Sequence, residues 1–176
     1  MHQKADIPIV SIVGKSDSGK TTVLEGVVAD LTSRGWRVAT VKHHIHDFDI
    51  DIPGKDSWRH ARAGAIVSMV SSPNELGVVK QLDREPTLDE LAAEAGNVDI
   101  LLTEGYKRTG RVRIEVSRDE RSNELVCKPA ELFALVTDGK RDTGSAPTFA
   151  LDDTRGLADL IEAEFLPARP QPDGQG

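Results

Sequence analysis

Apolar residues along the chain fall into short blocks separated by amphipathic stretches. Ile7 to Val13 is a mostly apolar run that stops at Gly14, which predicts a buried strand. Thr21 to Arg34 places Val23, Leu24, Val27, Val28 and Leu31 on one helical face and meets Gly35 as its stop. Arg37 to Val41 and Ile66 to Val70 read as further strands, separated by a polar loop and a short helix, Asp56 to Ala63, that Gly64 closes. Thr87 and Glu90 have capping-box spacing at the head of a helix ending at Gly96. Val98 to Thr103 is the strongest strand signal. Val112 to Val116 and Leu125 to Cys127 flank the polar turn Asp119 to Asn123 and predict a small β-hairpin. Leu132 to Val136 and Thr148 to Leu151 are the last strands, and Arg155 to Phe165 is a closing helix. This alternation predicts an α/β fold: three layers, a mostly parallel twisted sheet with helices on both faces.

Composition refines the pattern. At 176 residues the chain has the length of one domain, and residues 1–167 are expected to form it. The segment 168–176, rich in Pro, Gly and Gln, is expected to be disordered. Aromatics make up only 4%, so the core rests on Val, Leu, Ile and Ala. A formal charge of -7 argues against a general nucleic-acid binder. Cys127 is the only cysteine, which excludes an internal disulfide and a thiolate-cluster zinc site from one chain. Met1 to Ile7 has no signal-peptide core, and no apolar run approaches the roughly 20 residues that span a bilayer. The expectation is a cytoplasmic protein with no membrane association.

The most informative residues are Gly14-Lys15-Ser16-Asp17-Ser18-Gly19-Lys20-Thr21-Thr22, which fit G-x-x-x-x-G-K-[ST] between a predicted strand and a predicted helix. The glycines let the backbone curl so that successive N–H groups face a β-phosphate beside a helix N-terminus. Lys20 would neutralise the β- and γ-oxygens, and the Thr21 hydroxyl would ligate Mg²⁺. Lys15, directly after the first glycine, resembles the extra lysine of the P-loop class that includes signal-recognition, MinD-type and metallochaperone GTPases and ATPases. There the lysine commonly reaches a nucleotide across a dimer interface. Ile100 to Gly105 is a strand ending in a carboxylate and a glycine, which suits a Walker-B role. Glu104 would hold Mg²⁺ or its water, and the Gly105 N–H would approach the γ-phosphate. Lys15 and Glu104 are the candidate catalytic residues.

A second polar cluster, Lys42-His43-His44-Ile45-His46-Asp47-Phe48-Asp49-Ile50-Asp51-Ile52-Pro53-Gly54-Lys55-Asp56, follows the second strand. Its alternating carboxylates share one face of an extended segment, and strand C-termini form the ligand-bearing edge of parallel sheets. Three readings stay open. The carboxylates, Asp49 among them, serve the nucleotide's Mg²⁺; the imidazoles bind a transition metal; or Lys42 and the histidines receive a second anionic substrate. The transition metal ranks last, because the histidine spacing matches no defined metal site. Further on, Thr137-Asp138-Gly139-Lys140 follows a strand where guanine-reading carboxylates sit in GTPases. An Asp there accepts from guanine N1–H and the exocyclic amine, although the full N-K-x-D motif is absent and a plain turn is the competing reading.

Taken together, GKSDSGKTT, VKHHIHDFDIDIPGKDSWRHARAGA, LLTEGYK and ALVTD resemble the molybdopterin-guanine dinucleotide biosynthesis protein B (MobB) family, from about Ile9 to Phe165. The H-x-x-D-x-D-x-P-G-K-D-S core is the most specific of these segments. The resemblance implies a homodimeric GTP-binding protein with at most slow GTPase activity, assisting the nucleotidyltransferase that joins GMP to molybdopterin. By the family's pattern Gly14 to Thr22 would bind phosphates, Glu104 and Gly105 would sense the γ-phosphate, and Thr137 with Asp138 would meet the base. The stretch from His43 to Asp56, including His44, Asp47 and Lys55, would face the pterin or the partner enzyme.

Two other classes compete. A GTP-dependent metallochaperone for nickel or a similar ion would use His43, His44 and His46, but Cys127-Lys128-Pro129 is no Cys-Pro-His ligand motif and no histidine-rich tail is present. A small-molecule kinase shares the phosphate loop and requires a lid with arginines; Arg59, Arg62, Arg108, Arg111 and Arg113 make no assignable pattern.

Overall fold

The sheet is built from six strands in the order β2-β5-β1-β6-β7-β8, and every neighbouring pair is parallel. The computed structural model describes residues 7–44, 50–121 and 124–167; the tail 168–176 and the segment holding His46, Asp47 and Asp49 lie outside them. The strands are β1 (Ile9–Val13), β2 (Val38–Lys42), β5 (Ile100–Glu104), β6 (Val112–Ser117), β7 (Leu132–Thr137) and β8 (Thr148–Phe149). Strand side chains alternate between faces, and both faces of the sheet are covered. Val10, Ile12, Ile100 and Leu102 pack with Val23, Val27 and Leu31 of α1 (Lys20–Ser33) and Leu157 and Ile161 of α4 (Thr154–Phe165). Ile9 and Leu101 pack instead with Leu88 and Ala92 of α3 (Leu88–Ala95). Burial on both sides explains why β1 and β5 are buried at every position and mostly aliphatic, with Ser11, Thr103 and Glu104 the polar exceptions. The expected three-layer α/β architecture is present.

Residues 44–87 form a second compact unit, inserted between β2 and α3. It contains α2 (Asp56–Arg62), then β3 (Val67–Ser71) and β4 (Leu76–Lys80), which pair antiparallel. The ribbon turns at Ser72, whose N–H donates to the Glu75 carbonyl at 2.8 Å and whose hydroxyl accepts the Glu75 N–H at 2.9 Å. Ser68 Oγ ties it to α2 by donating to the Ser57 carbonyl at 3.0 Å. With only two strands and no buried residue on α2, this unit leaves Ile50, Ile52, Ile66, Met69, Leu76 and Leu82 more than 60% exposed.

Two sequence expectations are corrected here. A small antiparallel hairpin exists, but β3 and β4 form it, and the sequence pattern had shown only the first of that pair. Leu125 to Cys127 is not a strand, and β6 instead pairs in parallel with β1 and β7. The cause is Glu115. Its side chain is buried, and its two oxygens accept the N–H groups of Val126 (2.6 Å) and Cys127 (2.8 Å). A carboxylate thus replaces the ladder that a partner strand would have supplied. Burial, and then the neighbouring Glu115 charge, pushes the Cys127 thiol up to about 11, so it stays protonated near neutrality.

Replacing Glu115 with Ala strands the buried Cys127 N–H, costing about 1–3 kcal/mol, and the half-buried Val126 N–H, costing less. Urea unfolding should show a clear loss of stability, and Glu115→Gln, which keeps one acceptor oxygen, should lose less. A change in Ala below about 0.5 kcal/mol would show that the carboxylate does not hold this segment.

Candidate functional site

Parallel pairing brings the C-terminal ends of β1, β5, β6 and β7 to one edge of the sheet, and most of the sequence-predicted site residues follow those ends. The β1–β5 register sets Ile12 opposite Glu104, so the phosphate loop after β1 and the carboxylate ending β5 lie side by side. The loop needs glycine where it leaves β1. Gly14 has φ +147°, and a Cβ there would come within 2.3 Å of the Val116 carbonyl oxygen of β6. Gly19, with φ +94°, opens α1. The Lys20 ammonium folds back over the loop and donates to the Lys15 carbonyl at 2.6 Å. Ser18 lies inside the loop, and its buried hydroxyl has no hydrogen-bond partner among the described residues. Ser16, Asp17, Thr21 and Thr22 are exposed.

Glu104 is the electrostatic centre of this edge. It is 8% exposed, yet one oxygen accepts the Thr21 hydroxyl at 3.0 Å and the other lies 3.5 Å from the Lys42 ammonium. A hydroxyl and a carboxylate in contact at the head of α1 are a hard-oxygen donor pair, and this fits Mg²⁺ better than a soft metal. Burial lowers the pKa of Lys20, a shift that the Glu104 carboxylate offsets and that Lys107 and Lys42 reinforce. A cation held in that state gains most from an arriving anion. Lys15 faces Glu124 across 3.8 Å with its side chain 38% exposed.

Beyond Glu104 the chain turns sharply. Gly105 (φ +106°) and Tyr106 (φ +53°) are consecutive positive-φ residues. The Gly105 N–H donates to the Ile12 carbonyl at 2.9 Å. His43, whose N–H donates to the Glu104 carbonyl at 2.9 Å, stacks on the Tyr106 ring at 4.4 Å. Lys42 and His43 therefore join the phosphate-loop edge.

His44, Lys55 and Asp56 belong to the other unit. There the Lys55 carbonyl accepts the Arg59 N–H at 3.0 Å at the start of α2, and Asp56 faces Arg59 at 3.7 Å. Asp47, Asp49 and His46 lie outside the described residues. Among the described residues, no cluster of three His, Cys, Asp or Glu side chains is arranged to hold a metal.

At the end of β7, the Thr137 hydroxyl accepts the Gly139 N–H at 3.1 Å, and Asp138 Oδ1 accepts the Asp119 N–H at 2.9 Å. Asp119 also pairs with the Arg141 guanidinium at 2.5 Å. Sequence reasoning passed over Arg118, which follows β6 directly. Its Nε donates to the Ser18 carbonyl at 3.3 Å, and its guanidinium atoms lie 3.3 Å from where a Gly19 Cβ would stand. The signal was available: Arg118 follows a parallel strand at the same edge as the other candidates.

Residues 9–138 match the family described as molybdopterin guanine dinucleotide synthesis protein B, MobB. The chain is similar to the molybdopterin-guanine dinucleotide biosynthesis adapter protein of Escherichia coli (strain K12), 33% identical over 168 residues, covering 92% of this chain and 95% of that protein. The adapter protein of the same description from Haemophilus influenzae is 34% identical over 134 residues, 75% of each chain. Among solved structures, Bacillus subtilis MobB superposes with a TM-score of 0.74 at 27% identity, covering 93% of this chain and 100% of that one.

Gly105→Ala tests the turn. The side chain would sit in a positive-φ conformation, 3.0 Å from His43 Cβ. Equilibrium unfolding should show a loss of about 1–2 kcal/mol, with weakened His43–Tyr106 ring-current shifts by NMR. Wild-type stability would mean that the turn relaxes freely.

Proposed function

The chain belongs to the MobB family, the adapter proteins of molybdopterin guanine dinucleotide biosynthesis, and we propose that it works there by binding GTP with Mg²⁺. In this reading it serves the nucleotidyltransferase that attaches GMP to molybdopterin, and it hydrolyses GTP slowly at most. The observation that carries the reading is the 3.0 Å contact between the Thr21 hydroxyl and Glu104, with Lys20 beside it and Lys42 on the second carboxylate oxygen. Gly14 to Thr22 supply backbone N–H groups to the phosphates, and Lys20 neutralises the β- and γ-oxygens. Thr21 and Glu104 would hold the metal ion, which would supply positive charge against the phosphates. Gly105 lies at the γ-phosphate end of the site, its N–H given to the Ile12 carbonyl in the ligand-free chain, and Thr137 and Asp138 meet guanine.

The acting form is a homodimer in this proposal. Lys15 is partly exposed at the loop, where a lysine can serve a neighbouring subunit's nucleotide. The 44–87 unit carries the apolar surface that a protein partner would cover. Lys42 and His43, on the phosphate-loop edge, and His44, Lys55 and Asp56 in that unit are the side chains offered to molybdopterin or the transferase.

Calorimetry with GTP and ATP in Mg²⁺, with and without the transferase, tests the reading. GTP should bind in preference to ATP, and the chain should associate with the transferase. Lys20→Ala should weaken GTP by about 10–100-fold, the range for a lost charge-assisted contact, and Glu104→Gln should blunt the Mg²⁺ dependence. No GTP binding, or stoichiometric nickel binding in its place, would refute it.

Asp138→Asn tests the base assignment. Asn keeps an oxygen for the Asp119 N–H but presents an amide to the base, so GTP should weaken and xanthosine triphosphate should gain. Unchanged preference would remove Asp138 from the base site.

A further inference from the structure

Arg118 has no role in the reading above, yet its position is determined from both sides. In the sheet order β6 lies between β1, which leads into the phosphate loop, and β7, which leads into Thr137 and Asp138. Neighbouring strands lie about 4.8 Å apart, so the ends of β1 and β7 are about 10 Å apart. A nucleotide with its phosphates on the loop and its base at Asp138 must cross the end of β6. Ser117 pairs with Thr137, and Arg118 is the next residue along the chain. On one side its Nε is tied to the Ser18 carbonyl, with the guanidinium against Gly19. On the other, the Asp119 N–H is held by Asp138 and the Asp119 carboxylate by Arg141. Behind it, the buried Glu115 anchors the returning chain at Val126 and Cys127.

We propose that Arg118 contacts the nucleoside half of the bound nucleotide, its guanidinium forming a planar wall against the ribose and the base between the triphosphate and Asp138. The inference rests on the GTP-binding reading and adds a specific contact to it. The bond to Ser18 uses only one of the five N–H donors of the guanidinium and fixes its plane before ligand arrives. A delocalised cation suits this position, because it stacks on a purine face while its remaining N–H groups reach ribose oxygens. A lysine in its place would supply the charge without the plane.

The alternative is that Arg118 only shapes the phosphate loop through the Ser18 carbonyl. Two ligands separate these roles in the full-length chain with Mg²⁺: GTP, and inorganic tripolyphosphate, which has no nucleoside. Affinity for GTP is measured by calorimetry and for tripolyphosphate by displacement of a fluorescent GTP analogue. Arg118→Ala should weaken GTP on the order of tenfold, the range of a desolvated cation–π contact, and change tripolyphosphate less than twofold. Arg118→Lys should recover only part of the GTP affinity, and thermal unfolding of each variant confirms that the fold is kept. Equal losses for both ligands, or unchanged GTP affinity in Arg118→Ala, would overturn the proposal. Failure of the unaltered chain to bind GTP would overturn the nucleotide reading itself, and this inference with it.

Discussion

Parallel strand pairing is the constraint on which the first unit depends. Because β1, β5, β6 and β7 run the same way, their C-terminal ends collect at one edge, and each end delivers a different chemical group. β1 leads into the phosphate loop, β5 ends in Glu104, β6 leads into Arg118 and β7 into Asp138. Parallel strands need crossovers; α1 and α3 lie in two of them and, with the terminal α4, cover both faces of the sheet. The same rule therefore makes the aliphatic core and the polar edge.

At that edge charge balance governs the geometry. The chain is acidic overall, at -7, but Lys20 and Lys42 meet around a single buried carboxylate, Glu104. Glu104 is positioned by its strand and bonded to the first turn of α1, so the loop, the helix and β5 share one polar contact. Burial depresses Lys20 while Glu104 opposes the shift. The site holds its cations close together with one anion between them, an arrangement that favours an incoming polyanion.

The 44–87 unit follows different physics. Two strands and a seven-residue helix enclose too little volume for a core, and large aliphatic side chains remain in solvent. A two-stranded ribbon is marginal alone, which makes this unit the part of the chain whose apolar surface most requires a partner. It also contains the motif most specific to the family.

Much of this is legible in the sequence. The aliphatic runs of β1, β5 and β7, the helical periodicity of α1 and α4, and the phosphate-loop spacing are local patterns, and local patterns depend on residues within a few positions of each other. The family was legible for the same reason, since its motifs are contiguous. The sequence pattern misread Leu125 to Cys127 because a buried carboxylate from β6 satisfies that backbone, a partnership no periodicity encodes. It missed β4 because a strand in a solvent-exposed ribbon shows little contrast between its faces. It passed over Arg118 because an arginine on its own carries no motif. The sequence by itself determined which chemical groups the chain possesses and most of the segments that become strands and helices. Only the tertiary structure decided which groups meet, because strand order and register bring together residues, such as Thr21 and Glu104, that lie far apart along the chain.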